Sequence, residues 1–223
     1  MAHEMFSQMT FALAGNSVGC MKTTVYDERY QLKANYWEFK PSSMAIKILE
    51  LLPPVGKELK VLEIGCGEGS TAVFLARNGY SVTAFDLAPT GVAKTLDNAE
   101  RANVHVNAFL ADVNEYRPSE VYDVIFSSGT IQYLRPEKRE GFINSLKQHT
   151  NENGLNVLHT FVSKPFVETA PDAEANEYLW SSGELLHLYK DWLTEQFSEE
   201  IQPCNSSGIP HRHAHNRIWS RRP

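Results

Sequence analysis

Val61-Leu62-Glu63-Ile64-Gly65-Cys66-Gly67-Glu68-Gly69-Ser70 is the stretch that decides the fold of this chain. The apolar Val61, Leu62 and Ile64 read as a buried strand that carries an acid, Glu63, at its end. Gly65, Gly67 and Gly69 then let the backbone turn tightly and come close to a ligand. A helix is predicted from about Ser70 to Asn78, with Ala72, Val73, Leu75 and Ala76 on its inner side. A ligand lying across this turn is expected to meet unpaired amides at the positive end of the helix.

The glycine spacing narrows the ligand. A dinucleotide fingerprint is G-x-G-x-x-G, whereas here the third glycine comes one residue early. The next strand, Ser81 to Asp86, ends in an acid placed to accept both ribose hydroxyls of a nucleoside. The set Glu63, Gly65, Gly67, Gly69 and Asp86 is similar to the S-adenosylmethionine site of class I methyltransferases. That resemblance implies S-adenosylmethionine as cofactor, with Tyr30, Cys66, Leu87, Asp112, Val113 and Ser127 among its contacts. Asp112 follows the third strand, where an adenine-contacting acid and a plain turn acid are both open readings. Ser127 either lines the donor site or is a polar strand terminus.

Outward from the motif the chain alternates strictly. A helix over Ser42 to Leu52 is stopped by Pro53-Pro54. A helix over Thr90 to Ala102 carries Val92, Ala93, Leu96 and Ala99. His105–Leu110 and Val121–Phe126 read as strands, Glu137–His149 as a helix, Asn153-Gly154 as a turn, and Leu155–Val162 as a strand. Ser163 to Ser182 is irregular and is expected to form a flap over the strand ends. Glu184–Asp191 reads as a helix, and Trp192–Ile201 and His213–Arg221 as two closing strands. Strand–helix alternation of this kind predicts an α/β sheet covered by helices on both faces. Residues 1–25 are read as an N-terminal arm and 26–223 as a single domain.

Composition bounds the function. A net charge of −6 argues against a general nucleic-acid surface. Hydrophobic content of 42% and charged content of 22% are those of a soluble globular chain. Cys20, Cys66 and Cys204 are scattered, so neither a disulfide framework nor a structural zinc site is expected. No apolar run approaches membrane-spanning length, and Met5 to Gly19 has no basic start, so a cytoplasmic protein is expected.

From Tyr26 to Arg217 the sequence resembles the tellurite-resistance methyltransferase family. The matches include Asn78-Gly79-Tyr80-x-Val82-Thr83-Ala84-x-Asp86 and Lys147-x-His149-Thr150-x-x-x-Gly154-x-Asn156. Others are Gly183-Glu184-Leu185 leading to Tyr189-x-Asp191-Trp192, His211-Arg212 followed by Asn216-Arg217-Ile218, and Tyr30-x-Leu32. The chain departs from the family at Ser127 to Leu134, usually apolar, and in the shorter, histidine-rich loop between the last strands. The resemblance implies a three-layer Rossmann-like class I methyltransferase fold with a seven-stranded, mostly parallel sheet and an antiparallel last strand. It also implies a small-molecule acceptor, a chalcogen oxyanion such as tellurite or selenite; a monomer or homodimer is expected.

An oxyanion needs cationic or hydrogen-bonding groups to hold it, and a hydroxyl acceptor needs a base. His211, Arg212 and His213 are the candidate catalytic residues, with His215 and Arg217 beside them. His211, His213 and His215 alternate and share a face on a strand. Three imidazoles on one face can bind a metal, but a solvated loop edge is the reading adopted, and no metal is expected. His149, His159 and His187 read as ordinary helix and strand residues. Tyr26, Tyr30, Tyr36 and Trp37 form either an aromatic lid or core packing. Methylation of an organic metabolite on O, N or S, a nicotinamide oxidoreductase and a non-catalytic donor sensor are the competing functions.

Overall fold

A computed structural model describes residues 24–31, 35–171, 177–205 and 208–223. The arm before residue 24, including Cys20, lies outside the described residues, as do Leu32 and part of the flap. The elements run α1 (Val25–Tyr30), α2 (Ser43–Leu51), β1 (Leu59–Ile64), α3 (Ser70–Arg77), β2 (Tyr80–Asp86) and α4 (Pro89–Arg101). Then come β3 (Val106–Leu110), β4 (Tyr122–Ser128), α5 (Arg139–Gln148), β5 (Thr150–Val162), α6 (Glu184–Leu188), β6 (Leu193–Cys204) and β7 (His211–Arg221).

The seven strands form one sheet in the order β3-β2-β1-β4-β5-β7-β6. β1 to β5 pair in parallel, and β7 runs antiparallel to both β5 and β6. The order reverses between β1 and β4, where open α/β sheets offer a crevice at the carboxyl ends of the strands. Side-chain alternation along the strands sorts the core into two layers. Val61, Val82, Phe126 and Val157 pack against α2 and α3, while Leu62, Phe85, Ile125 and Leu158 pack against α5 and α6.

Two local expectations change. The helix expected from Glu137 is a 3₁₀ turn over Pro136–Lys138 followed by α5, because Pro136 starts the segment without an amide to donate. Asn153-Gly154 is not a turn ahead of the strand but an irregularity inside β5. Asn153 adopts φ 60° there, and the pairing with β4 jumps from Tyr122↔Thr150 to Val124↔Leu155.

The flap is tied down at its returning end. Trp180, fully buried, pairs with the tip of β5, accepting from Ser163 N and donating its own amide to Phe161 O. Its indole Nε1 donates to Ile131 O at 3.0 Å. Arg139, 5% exposed, makes two bonds to Glu184 at 3.0 and 3.1 Å, donates to Tyr178 O at 2.6 Å, and lies over the Trp180 ring. Arg139→Ala removes the shared partner of α5, α6 and the flap. We expect a loss of about 2–4 kcal/mol in urea denaturation, since Glu184 is partly exposed and keeps some hydration.

Candidate functional site

The glycine turn closes the crevice between β1 and β2. Asp86 Oδ2 accepts from Gly67 N at 2.8 Å and Oδ1 from Ala88 N at 2.9 Å. Phe85 O accepts from both Gly65 N and Cys66 N, and Gly69 N donates to Cys66 O. The amides of Gly65, Cys66, Gly67 and Gly69 are therefore committed within the protein. The end of β2 takes the first three and Cys66 O the fourth; at the helix start, where a ligand is expected to meet unpaired amides, Ala72 N donates to Glu63. Gly65, Gly67 and Gly69 adopt φ of 77°, 53° and 82°, the left-handed region where a side chain is strained. A Cβ on Gly65 would lie 1.8 Å from Thr130 Oγ1, and one on Gly67 would lie 2.9 Å from the Tyr30 hydroxyl.

Glu63 sits one residue before the end of β1, on the face that carries α3, and is 4% exposed. Ala72 N donates to its carboxylate, but Oε2 is buried with no partner among the described residues. Burial, then the nearby Asp86 charge, pushes the Glu63 carboxyl well above its ordinary range. Burial also raises Asp86, against the pull of the Ala88, Gly67 and Leu87 amides. The Asp86 charge thus lies close enough to Glu63 to oppose its ionisation.

Around this pair the sequence candidates take distinct places. Leu87 is 39% exposed beside Asp86. Asp112 Oδ1 accepts from Asn114 N and Asn114 Nδ2, so it builds a turn. The Val113 side chain is buried in the core. Cys66 points inward, and its burial pushes the thiol well up from its ordinary value. Ser127, fully buried, donates to Ile64 O at 3.1 Å, so its hydroxyl ties β4 to β1 rather than facing the crevice.

Several residues that hold the turn were not singled out in the sequence. Glu68, 4% exposed, accepts from Tyr36 N, Trp37 N and Lys94 Nζ, at 3.0, 3.1 and 2.9 Å. Thr95 Oγ1 donates to Gly67 O and Asn98 Nδ2 to Glu68 O, both at 3.0 Å. Two polar residues three apart on the inward face of α4 were the available signal. Tyr30 lies against the turn with Trp37 Nε1 donating to its hydroxyl at 3.3 Å, and the Tyr26 and Tyr133 hydroxyls meet at 2.8 Å. Within the aromatic segment Tyr30 is core, while Trp37 stays 43% exposed.

The C-terminal candidates gather at the opposite side of the strand ends. His211 and His213 are 7% and 8% exposed, which overturns the solvated loop edge expected for them. Strand alternation sends Arg212 to the other face, where Glu168 of the flap holds it at 3.1 and 2.7 Å. The three residues therefore do not converge as one set. Arg212 and His213 both border a cleft of about 330 Å³ with Lys164, Val167 and Glu168. His159 is not an ordinary strand residue: its Nε2 meets His215 Nδ1 at 2.7 Å, and its Nδ1 is buried without a partner among the described residues. Burial chiefly, with His215 adding, pushes His159 down to about 3, and burial, then Arg217, pushes His215 down to about 4.

With this geometry in hand, similarity to other proteins is informative. A family model described as tellurite resistance protein TehB matches residues 18–211. A Haemophilus influenzae protein named probable S-adenosyl-L-methionine-dependent methyltransferase TehB is 26% identical over 182 residues, covering 82% of this chain and 59% of that protein. An Eikenella corrodens protein named hemagglutinin 1 is 31% identical over 142 residues, 64% of this chain and 46% of its own length. The chain thus spans well under two thirds of these curated relatives. The crystal structure of TehB from Haemophilus influenzae superposes with a TM-score of 0.73 at 23% identity, covering 89% of this chain and 66% of that one.

Glu63 supplies a prediction whose sign is fixed. Its carboxyl keeps a proton to higher pH folded than unfolded, so the folded state binds more protons above the ordinary value of 4.5. Stability is complete below that value and falls as pH rises toward the folded value. Glu63→Gln should raise the melting temperature of the ligand-free protein at neutral pH, with the gain vanishing below about pH 4.5. Thermal melts of both proteins across pH check this.

Proposed function

The chain belongs to the family described as tellurite resistance protein TehB, and from that premise we propose that it is an S-adenosylmethionine-dependent methyltransferase acting on a small molecule. The observation that carries the reading is the pair of acids on neighbouring parallel strands. Glu63 offers a buried oxygen without a partner among the described residues, and Asp86 offers the remaining lone pairs of a half-buried carboxylate. That donor set fits the cofactor, which carries one ammonium group and two ribose hydroxyls. Glu63 is proposed to take the amino end, Asp86 the ribose, Leu87, Asp112 and Val113 the adenine, and Tyr30 the mouth of the turn.

When bound, the cofactor supplies a methyl group on a sulfonium, open to in-line attack. The protein's part is to fix the approach and exclude water. Tyr30 and the Tyr26–Tyr133 contact wall off the glycine turn, and Glu68 pins the segment carrying Trp37 across it. The acceptor is proposed to enter the cleft bordered by Lys164, Arg212 and His213, three groups suited to a tellurite- or selenite-type oxyanion. Arg212 already holds a planar carboxylate in a fork, so an oxyanion can exchange for Glu168. His211, whose Nε2 lies 2.8 Å from His213 Nε2, orients that ring. A chalcogen lone pair needs no strong base, which suits the depressed basicity of His159 and His215 nearby.

A second reading rests on the aromatic wall. Trp37, exposed beside the glycine turn, would favour a flat organic acceptor methylated on O, N or S. Both readings share the donor.

Calorimetric titration with S-adenosylhomocysteine, with NADH and NADPH in parallel, tests the donor. Micromolar binding of the homocysteine product alone is expected, weakened at least ~10-fold in Asp86→Ala. Nicotinamide binding in its place would make the protein an oxidoreductase. Arg212→Ala should leave donor affinity unchanged and lower turnover of selenite or tellurite ~10-fold or more, read by volatile methylated product. Unchanged turnover with oxyanions and activity on aromatic metabolites would favour the second reading.

A further inference from the structure

We propose that Cys204, His211 and His213 form a binding site for a zinc-type divalent metal at the tip of the β6–β7 hairpin. Cys204 lies directly across from His211 in the antiparallel register, so both side chains leave the sheet on one face. His213, two residues on, shares that face. One ligand atom from each of the three lies within 4.8 Å of the others. Tetrahedral bonds of ~2.1–2.3 Å place ligand atoms roughly 3.5 Å apart, so the cluster closes on an ion with small side-chain adjustments.

The hydrogen bonding around His211 is the second observation. Its Nδ1 lies 2.7 Å from Ile209 O. A carbonyl can only accept, so Nδ1 carries the proton and Nε2 of the neutral ring is a lone pair. This is the arrangement that orients a metal-binding imidazole through its far nitrogen. That lone pair points at His213 Nε2, 2.8 Å away, where one nitrogen must carry a proton unless an ion lies between them. Phe161 stacks on the His213 ring at 4.3 Å and 6°, which fixes its plane. Both rings are buried, so water does not compensate them as it would on a loop edge.

A thiolate with two imidazoles selects zinc or a similar borderline ion over magnesium or calcium. Binding releases the Cys204 thiol proton to solvent, and three protein ligands leave a fourth position for water or an anion. Strand spacing of about 4.8 Å and three strand steps put β7 roughly 14 Å from β1, so the site is separate from the donor crevice. The metal site shares His213 with the proposed acceptor cleft, but the strand register and ring contacts that support it are independent of methyl transfer.

The test is anaerobic titration of the chelator-treated full chain with CoCl₂, followed by addition of Zn²⁺. One equivalent of Co²⁺ should give intense tetrahedral d–d bands and a thiolate charge-transfer band, both lost on zinc addition. Cys204→Ala should abolish the charge-transfer band and weaken binding at least ~100-fold, and His213→Ala should weaken it comparably. His187→Ala, an exposed histidine on α6, should change nothing. S-adenosylhomocysteine affinity and circular dichroism, measured on each variant, report folding and the donor site separately. No thiolate band in the parent chain, or a band that survives Cys204→Ala in a folded variant, overturns the site.

Discussion

The carboxylate of Asp86 is the constraint on which the rest of the crevice depends. It ends β2, clips Gly67 N and Ala88 N, and leaves Phe85 O to collect the amides of Gly65 and Cys66. The glycine turn is thus held by the neighbouring strand, not by a ligand. Burial and the Asp86 charge together hold the Glu63 carboxyl well above its ordinary range.

Most of the glycine turn and its flanking strands was legible because its signals are local. A strand, three glycines, a helix and an acid at the end of the next strand stand in one sequence window, and period and spacing carry them. The seven-stranded, mostly parallel sheet with its antiparallel last strand followed from strand–helix alternation and from the family resemblance. What escaped were contacts made across the chain. Glu68 looked like a spacer between glycines, yet it receives the amides of Tyr36 and Trp37 and the Lys94 ammonium. Arg212 looked like part of a catalytic trio, yet alternation along β7 turns it to the opposite face from its neighbours. His159 looked ordinary because its partner, His215, is fifty-six residues away.

The two halves of the strand-end surface are joined through Trp180. Its indole donates to Ile131 O, just after β4, while its backbone pairs with Phe161 and Ser163 at the tip of β5. Ile131 directly follows Thr130, whose side chain fills the space over Gly65. The returning end of the flap and the glycine turn are thus linked by successive contacts, and the cleft beside Arg212 is built on the same strand tip.

β7 carries two demands on its two faces. Ala214 and Ile218 complete the apolar layer under α5 and α6, as closing a sheet requires. The other face carries His211, His213 and His215 in succession, with His159 across from Arg217 on β5. Packing alone would fill that face with aliphatic side chains, because a buried neutral imidazole with an unpaired nitrogen costs stability. Holding His159 and His215 well below their ordinary basicity means that the fold keeps them uncharged at neutral pH, when protonation would bring them water and repulsion. A strand that spends burial on lone pairs is arranged for ligands that need lone pairs, and that property sets the β6–β7 hairpin apart from the rest of the sheet.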